Sequence, residues 1–357
     1  MKTYSKFLSK IFLNSFFNIF LITFCLIFIL NLLTELDFFK DIDVSDYFPI
    51  YLSLLNTPSL IFEIFPFIFL ISTQLFFHEL INNNQINTLK YSGLKNSKIL
   101  IIINFLTFFI GVLLITFFYN LSSNLKSFYL ELKSSYTTDN KYLAVITNNG
   151  LWIKDVIDDK ILMINASKIE ENFIVDVYLS EFDKNFEIIR NIKSKKIDVK
   201  NKNWLIYDAE IFNQNHKTVE KVIQIKTNFD YEIMQNLFSN LSSLSLIELI
   251  EMRKNYLKLN YSVTDLNLHL INLFSYPFYL VLMTLISSVI MLNSKNITNK
   301  YSKIVFGLLV SVTIYYIYNY FYVLGVTEKL NSTISIILPL FILLIINSYF
   351  LRNINAK

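Results

Sequence analysis

Apolar residues are distributed along this chain in two regimes. In the first, Phe, Ile and Leu run almost unbroken near 11–33, 58–77 and 99–120, and again near 268–292, 304–325 and 333–351. A helix needs about 20 apolar residues to cross roughly 30 Å of hydrocarbon. Each run therefore predicts a membrane-spanning helix, three before and three after a long middle segment. That middle segment, 121–267, follows the second regime. From Lys141 to Asn228 apolar and polar residues often alternate, as in FIVDVYLSEFD (173–183), and β-branched residues are common. The runs 142–147, 150–154, 160–165, 173–182, 186–199, 203–212 and 218–227 predict strands of an antiparallel sandwich or barrel-like sheet. In SLIELIEMRKNYLKL (245–259) the period changes again. Leu246, Leu249, Ile250, Arg253 and Leu257 share one helical face, and Ser245 with Glu248 forms a capping box. This amphipathic helix is expected at the outer membrane surface, guiding the chain into the fourth span.

The predicted fold is a polytopic α-helical membrane protein, six transmembrane helices arranged 3+3, with an inserted all-β domain. Its parts are helices 1–3 over 1–120, the β domain over 121–240, the amphipathic helix and linker over 241–267, and helices 4–6 over 268–357. Composition agrees: 54% of residues are hydrophobic and only 17% charged, where a soluble domain carries about a quarter charged residues. The first run follows Lys2, Lys6 and Lys10, but it is too long for a signal-peptide core and lacks a small-residue cleavage site. It reads as a retained anchor.

The net charge of +4 matters less than its placement. Lys2, Lys6 and Lys10, then Lys90, Lys95 and Lys98, then Lys295, Lys300 and Lys303, then Arg352 and Lys357 all fall on one side of the predicted membrane. The short loops of the other side hold only Lys40 and Lys329, and the first is acidic, with Glu35, Asp37, Asp41, Asp43 and Asp46. The positive-inside rule makes both termini cytoplasmic and puts 121–267 outside.

Several chemistries are excluded by residue supply. The chain has five glycines, at 93, 111, 150, 307 and 325. Neither GxxxxGK nor GxGxxG can be written, so any ATP-driven function needs an ATPase on another chain. His78, His216 and His269 lack metal-ligand spacing, and no catalytic, metal or cofactor site is expected. Asp155, Asp158 and Asp159 read as a solvated turn between strands. In NGLWIKD (149–155), Trp152 is expected to pack on a sheet face, with Lys154 and Asp155 closing the strand in water. The lone cysteine, Cys25, lies in an apolar run as an inert packing residue. The spans carry few ionisable groups, which argues against a proton pump built on intramembrane carboxylates. Glu63 is the exception. Pro277 and Pro339 sit inside spans, where they bend helices.

The order and spacing of certain stretches resemble the LptF/LptG (YjgP/YjgQ) family of lipopolysaccharide-export permeases. They are TPSLIFEIFPF (57–67) with Pro58 and Pro66, QINTLKYSGL (85–94), NGLWIKD (149–155), LSLIELIEMRKNYLKL (244–259) and LINLFSYPF (270–278). GLW-x-(K/R)-D is closer to LptG. The resemblance implies a multi-pass protein of the bacterial inner membrane with a periplasmic β-jellyroll. It implies an LptF-like paralogue as partner, an LptB-like ATPase dimer at the cytoplasmic face, LptC/LptA-like jellyroll proteins beyond, and lipopolysaccharide as substrate, with no nucleic acid. The segment near 79–98 corresponds to the family's coupling helix. Its acidic opening residue is replaced here by Gln85, with Glu79 six residues earlier, and Gly93 is expected to cap the helix. LptG-like proteins also carry a basic cluster after the first span that meets lipid phosphates. Here TELDFFKDID (34–43) keeps Lys40 alone. Phe65, beside Pro66, is expected to line the substrate cavity. A mechanotransmission permease would place its large outside domain after the first span, not the third. A membrane-embedded enzyme would need clustered carboxylates or metal ligands. Another lipid-export permease and a non-catalytic assembly scaffold stay open.

Overall fold

The computed structural model describes residues 3–136, 151–157, 160–170, 172–213, 216–231, 240–258, 262–293 and 300–352. The strand expected at 142–147, Gly150, Asp158 and Asp159 lie outside them. The chain divides into a helical unit, Met1–Tyr129 with Thr264–Lys357, and a second unit, Leu130–Val263.

The helical unit contains α1 (Thr3–Phe38), α2 (Tyr47–Asn82), a short α3 (Gln85–Tyr91) and α4 (Asn96–Leu113). A π-helical stretch, Leu114–Tyr119, joins α4 to α5 (Asn120–Ser134), whose last residues enter the second unit. After the second unit come α7 (Thr264–Asn293), α8 (Lys300–Val326) and α9 (Ser332–Leu351), α6 being described below. All six expected spans are present as helices long and apolar enough to cross a membrane. The helices outrun the apolar stretches because polar residues at their ends still satisfy the backbone as helix. Burial separates centre from periphery: the apolar windows of α2 and α7 are 67% and 72% buried, those of α1 and α8 only 17% and 22%.

Water is absent from a bilayer core, so helices associate there by close packing and interhelical hydrogen bonds. Three glycines make notches. A Cβ on Gly111 would meet Pro277 Cα at 3.0 Å, one on Gly325 would meet Ser335 Oγ at 2.4 Å, and one on Gly307 would meet Gln74 Nε2 at 1.8 Å. Buried amides add polar links. Asn31 Nδ2 donates to the Ser53 carbonyl at 3.2 Å, and Asn56 Nδ2 donates to Asn31 Oδ1 at 3.1 Å.

The second unit holds β1 (Leu151–Ile157), β2 (Lys160–Ala166), β3 (Lys168–Glu170), β4 (Phe173–Phe182), β5 (Ile188–Asp198), β6 (Asn203–Asn213) and β7 (His216–Lys226). They form one antiparallel sheet in the order β1-β2-β4-β5-β6-β7, with β3 also paired to β4. Alternation puts one face inward, where Ile153, Ile164, Val177, Ile192, Trp204 and Ile206 build a single core. A single sheet covers its own apolar face only by curling, and this one does. Asn228, just past β7, bonds to Asp155 in β1, the first strand of the order.

The registers expose a crease. Asp176 of β4, Lys195 of β5, Asp208 of β6 and Lys221 of β7 stand opposite one another, and none of these positions has a ladder partner. Asp176 and Asp208 both take left-handed backbone, φ 52° and 47°. Interrupting four neighbouring strands along one row lets the sheet bend there, and the row alternates in charge, as opposed cross-strand positions favour.

α6 (Leu246–Lys258) starts as expected: Ser245 N donates to Glu248 Oε2 at 2.7 Å, and Glu248 N reaches Ser245 Oγ at 3.4 Å. In α6 Leu249 and Met252 are buried, while Ile250 and Leu257 are exposed. Two expectations need correction. Trp152 is 60% exposed, on the outer face, and Trp204 is the tryptophan of the core. Asp155 does not close a strand in water: it shares the inward phase of Leu151 and Ile153 and is 1% exposed.

Candidate functional site

The elbow between α2 and α4 gathers three of the expected site residues. α2 ends at Asn82, and Asn84 turns the chain in a left-handed conformation, φ 55°. Seven residues of α3 follow. Gly93, at φ +82°, then closes the helix: Gly93 N donates to the Lys90 carbonyl and Leu94 N to the Leu89 carbonyl, both at 2.9 Å. That pair of bonds is the Schellman motif, which needs a left-handed residue where Gly93 stands. A Cβ there would meet nothing within 4 Å, so backbone conformation rather than space selects glycine. Glu79, Asn87, Lys90 and Tyr91 are exposed, while Gln85 is half-buried and Ile86 and Leu94 are buried. Two left-handed residues and two apolar anchors thus hold a polar seven-residue helix at one end of the bundle.

The other two expected residues lie elsewhere. Lys40 is exposed in the turn after α1, and a 36-residue helix separates it from the N-terminal end, about 54 Å of rise. Phe65 sits midway along α2, 1% exposed. Phe16, Phe20, Phe69 and Phe118 surround its ring, the nearest being Phe118, edge-on at 5.2 Å. Phe65 therefore packs between α1 and the π-helical stretch rather than presenting a free ring.

A polar cluster in the bundle was not foreseen. Pro66 has no N–H, so the Phe62 carbonyl four residues back lacks its helical donor. The hydroxyl of Tyr276 on α7 supplies the missing bond, and its ring stacks on Phe62 at 4.8 Å. The π-helical stretch adds a residue to its turn and ends on Tyr119, whose hydroxyl lies 2.9 Å from His269 Nε2. π-turns of this kind mark functional positions in helices. Lys126, on α5, interacts electrostatically with Glu63 and with His269. The spacing held a signal. Tyr119 and Lys126 are seven apart, as are His269 and Tyr276, so each pair shares one helical face. Lys126 lies beyond the apolar run, which stops at 120 while the helix continues to Ser134.

Chemically, this cluster sets one ammonium, one carboxylate and an imidazole among aromatic rings in an otherwise apolar bundle. That arrangement suits recognition of a charged group. Among the described residues no three His, Cys, Asp or Glu converge to hold a metal ion.

Six membrane-length helices divided by an antiparallel β domain define a polytopic architecture of the 3+3 type. The family model for the lipopolysaccharide export system permease LptF/LptG matches residues 6–353, and the chain belongs to that family. No curated protein matches the chain.

Proposed function

We propose that this chain is the LptG-like half of an ABC-type extractor that takes lipopolysaccharide from the outer leaflet of the inner membrane. The observation that carries the reading is the family match over 6–353, which spans both units rather than one domain. A separate LptB-like ATPase dimer drives the cycle, and an LptF-like paralogue completes the cavity. Both termini are cytoplasmic and the β domain is periplasmic, where it passes acyl chains along its apolar interior to LptC- and LptA-like jellyroll proteins.

In this reading the α2–α3–α4 elbow is the coupling element. Glu79 and Gln85 contact the ATPase, and Gly93 sets the angle of α3. A neutral Gln85 gives up the charge-assisted bond that the family's acidic residue makes, and Glu79 restores negative charge one element earlier. Lys40 meets the anionic head of the lipid, with Lys126 as a second cation of the bundle. Phe65 shapes the cavity wall from behind through Phe20 and Phe118.

The test is purification of the tagged chain from its native membrane. An ATPase, an LptF-like paralogue and an LptC-like protein should come with it. Gln85→Lys, or deletion of 85–93, should abolish ATPase association and lipid transfer while leaving the helical unit folded by circular dichroism. Unchanged co-purification and transfer in both variants would contradict the coupling role.

A further inference from the structure

The apolar interior of the β sheet is closed by a short piece of chain that belongs to no strand. After β7 the segment Thr227–Tyr231 turns back over the core. Phe229 is 0% exposed and sits in the same cluster as Trp204, Ile206 and Ile225. Its carbonyl is gripped twice, by Trp204 Nε1 at 2.9 Å and Thr227 Oγ1 at 2.7 Å. Asn228 makes the link to the far side of the sheet. Its backbone N donates to Asp155 Oδ2 at 2.9 Å, and its Nδ2 donates to Asp155 Oδ1 at 2.7 Å and to the Val156 carbonyl at 3.1 Å.

β1 and β7 stand at opposite ends of the strand order and share no ladder. Among the described residues, the Asn228 side chain and backbone amide bond β1 to the chain just past β7, where the other neighbouring strands are joined by rows of backbone bonds. Asn228 is itself exposed, so water competes for each of its bonds. Asp155, by contrast, is a buried carboxylate for which Asn228 provides two donors, and burial of such a group is costly without them. Along the inward positions of β7 the environment changes from Ile225, buried beside Phe229, to Glu220 and Thr218, both exposed. The interior is thus dry where the strap lies and open to water at the other end of the strand.

We propose that Thr227–Tyr231 is a releasable strap, and that Phe229 holds the place of an acyl chain in the sheet's interior until lipid displaces it. Release breaks the Asn228–Asp155 link and frees the Phe229 carbonyl from Trp204, parting the two ends of the sheet. The inference rests on the reading of the chain as a lipopolysaccharide permease and adds a closed, self-occupied state to it.

The experiment uses the whole complex, with Cys25→Ser removing the only native cysteine and Asp155→Cys with Asn228→Cys placed across the link. Oxidation to the disulfide should lower lipopolysaccharide transfer from proteoliposomes at least tenfold, and reduction should restore it. Trp152→Phe leaves Trp204 as the sole tryptophan of this chain, and subtracting the spectrum of a complex that also carries Trp204→Phe removes the signal of the partner chains. Adding purified lipopolysaccharide should then shift the Trp204 emission in the reduced complex and not in the oxidised one. Equal transfer in both redox states would overturn the strap while leaving the transport reading intact. So would an emission shift that survives oxidation. Absence of transfer by the unmodified complex would overturn the transport reading, and the strap's role with it.

Discussion

Single side chains in this protein act mainly by filling positions that a neighbouring backbone leaves incomplete. The Tyr276 hydroxyl answers the carbonyl freed by Pro66, Trp204 holds the Phe229 carbonyl, and Gln74 fills the notch at Gly307 while donating to the Lys303 carbonyl at 3.2 Å. The last pair yields a signed prediction. Gly→Ala inside a helix normally stabilises by about 1 kcal/mol. At Gly307 the new methyl would overlap the end of the fully buried Gln74 side chain, with Nε2 at 1.8 Å and Cδ at 2.8 Å, and displacing it would break the bond to the Lys303 carbonyl. Overpacking costs about 1–3 kcal/mol, so Gly307→Ala should lower the melting temperature of the detergent-solubilised protein. In a Gln74→Ala background the same substitution should be neutral or stabilising. Equal losses in both backgrounds would show that the notch is not the reason for the glycine. From the sequence, the glycines only ruled out nucleotide-binding motifs. Their packing role was hidden because Gln74 lies 229 positions earlier than its carbonyl partner.

At the scale of elements, legibility followed local periodicity. Except for the three-residue β3, the strands after 150 emerged within a few residues of their limits, and the capping box of α6 formed as written, because both signals lie within a few consecutive residues. Phase was harder. LWIKDVI offers two alternating sets, Leu151-Ile153-Asp155 and Trp152-Lys154-Val156, each with apolar and polar members. The set containing Asp155 won because Asn228, 73 residues away, satisfies its carboxylate. A similar compensation holds β2, β4 and β5 together. Glu181 is 2% exposed, flanked by Lys160 Nζ at 2.7 Å and Arg190 Nε at 2.5 Å. Burial pushes its carboxyl up, but hydrogen bonds and charge from Lys160 and Arg190 outweigh this and hold it below the ordinary range. A carboxylate depressed in the folded state contributes stability that is complete above its unfolded pKa and is lost as pH falls through the folded value. Amide exchange in β2 and β4 should therefore accelerate as pH drops below the ordinary carboxylate range, after correction for intrinsic rates. Glu181→Gln should be less stable at neutral pH and lose that acid dependence. An unchanged acid limb in the variant would remove Glu181 from the account.

Across the whole molecule, the six helices and the inserted β domain were readable because bilayer thickness sets the length of an apolar run so tightly. The polar cluster of Glu63, Lys126, His269, Tyr119 and Tyr276 was not readable, because it assembles from three helices and one member lies beyond the apolar stretch. These parts fit a machine that moves an amphiphile: an apolar bundle with a few placed charges, a capped elbow at one end of it, and a curled sheet whose interior is dry beneath its strap. The central claim is that this chain exports lipopolysaccharide. The most direct measurement is to deplete the protein and follow newly made lipopolysaccharide in separated inner and outer membranes. The account predicts accumulation in the inner membrane with a matching loss from the outer membrane. Unchanged delivery to the outer membrane after depletion would contradict it.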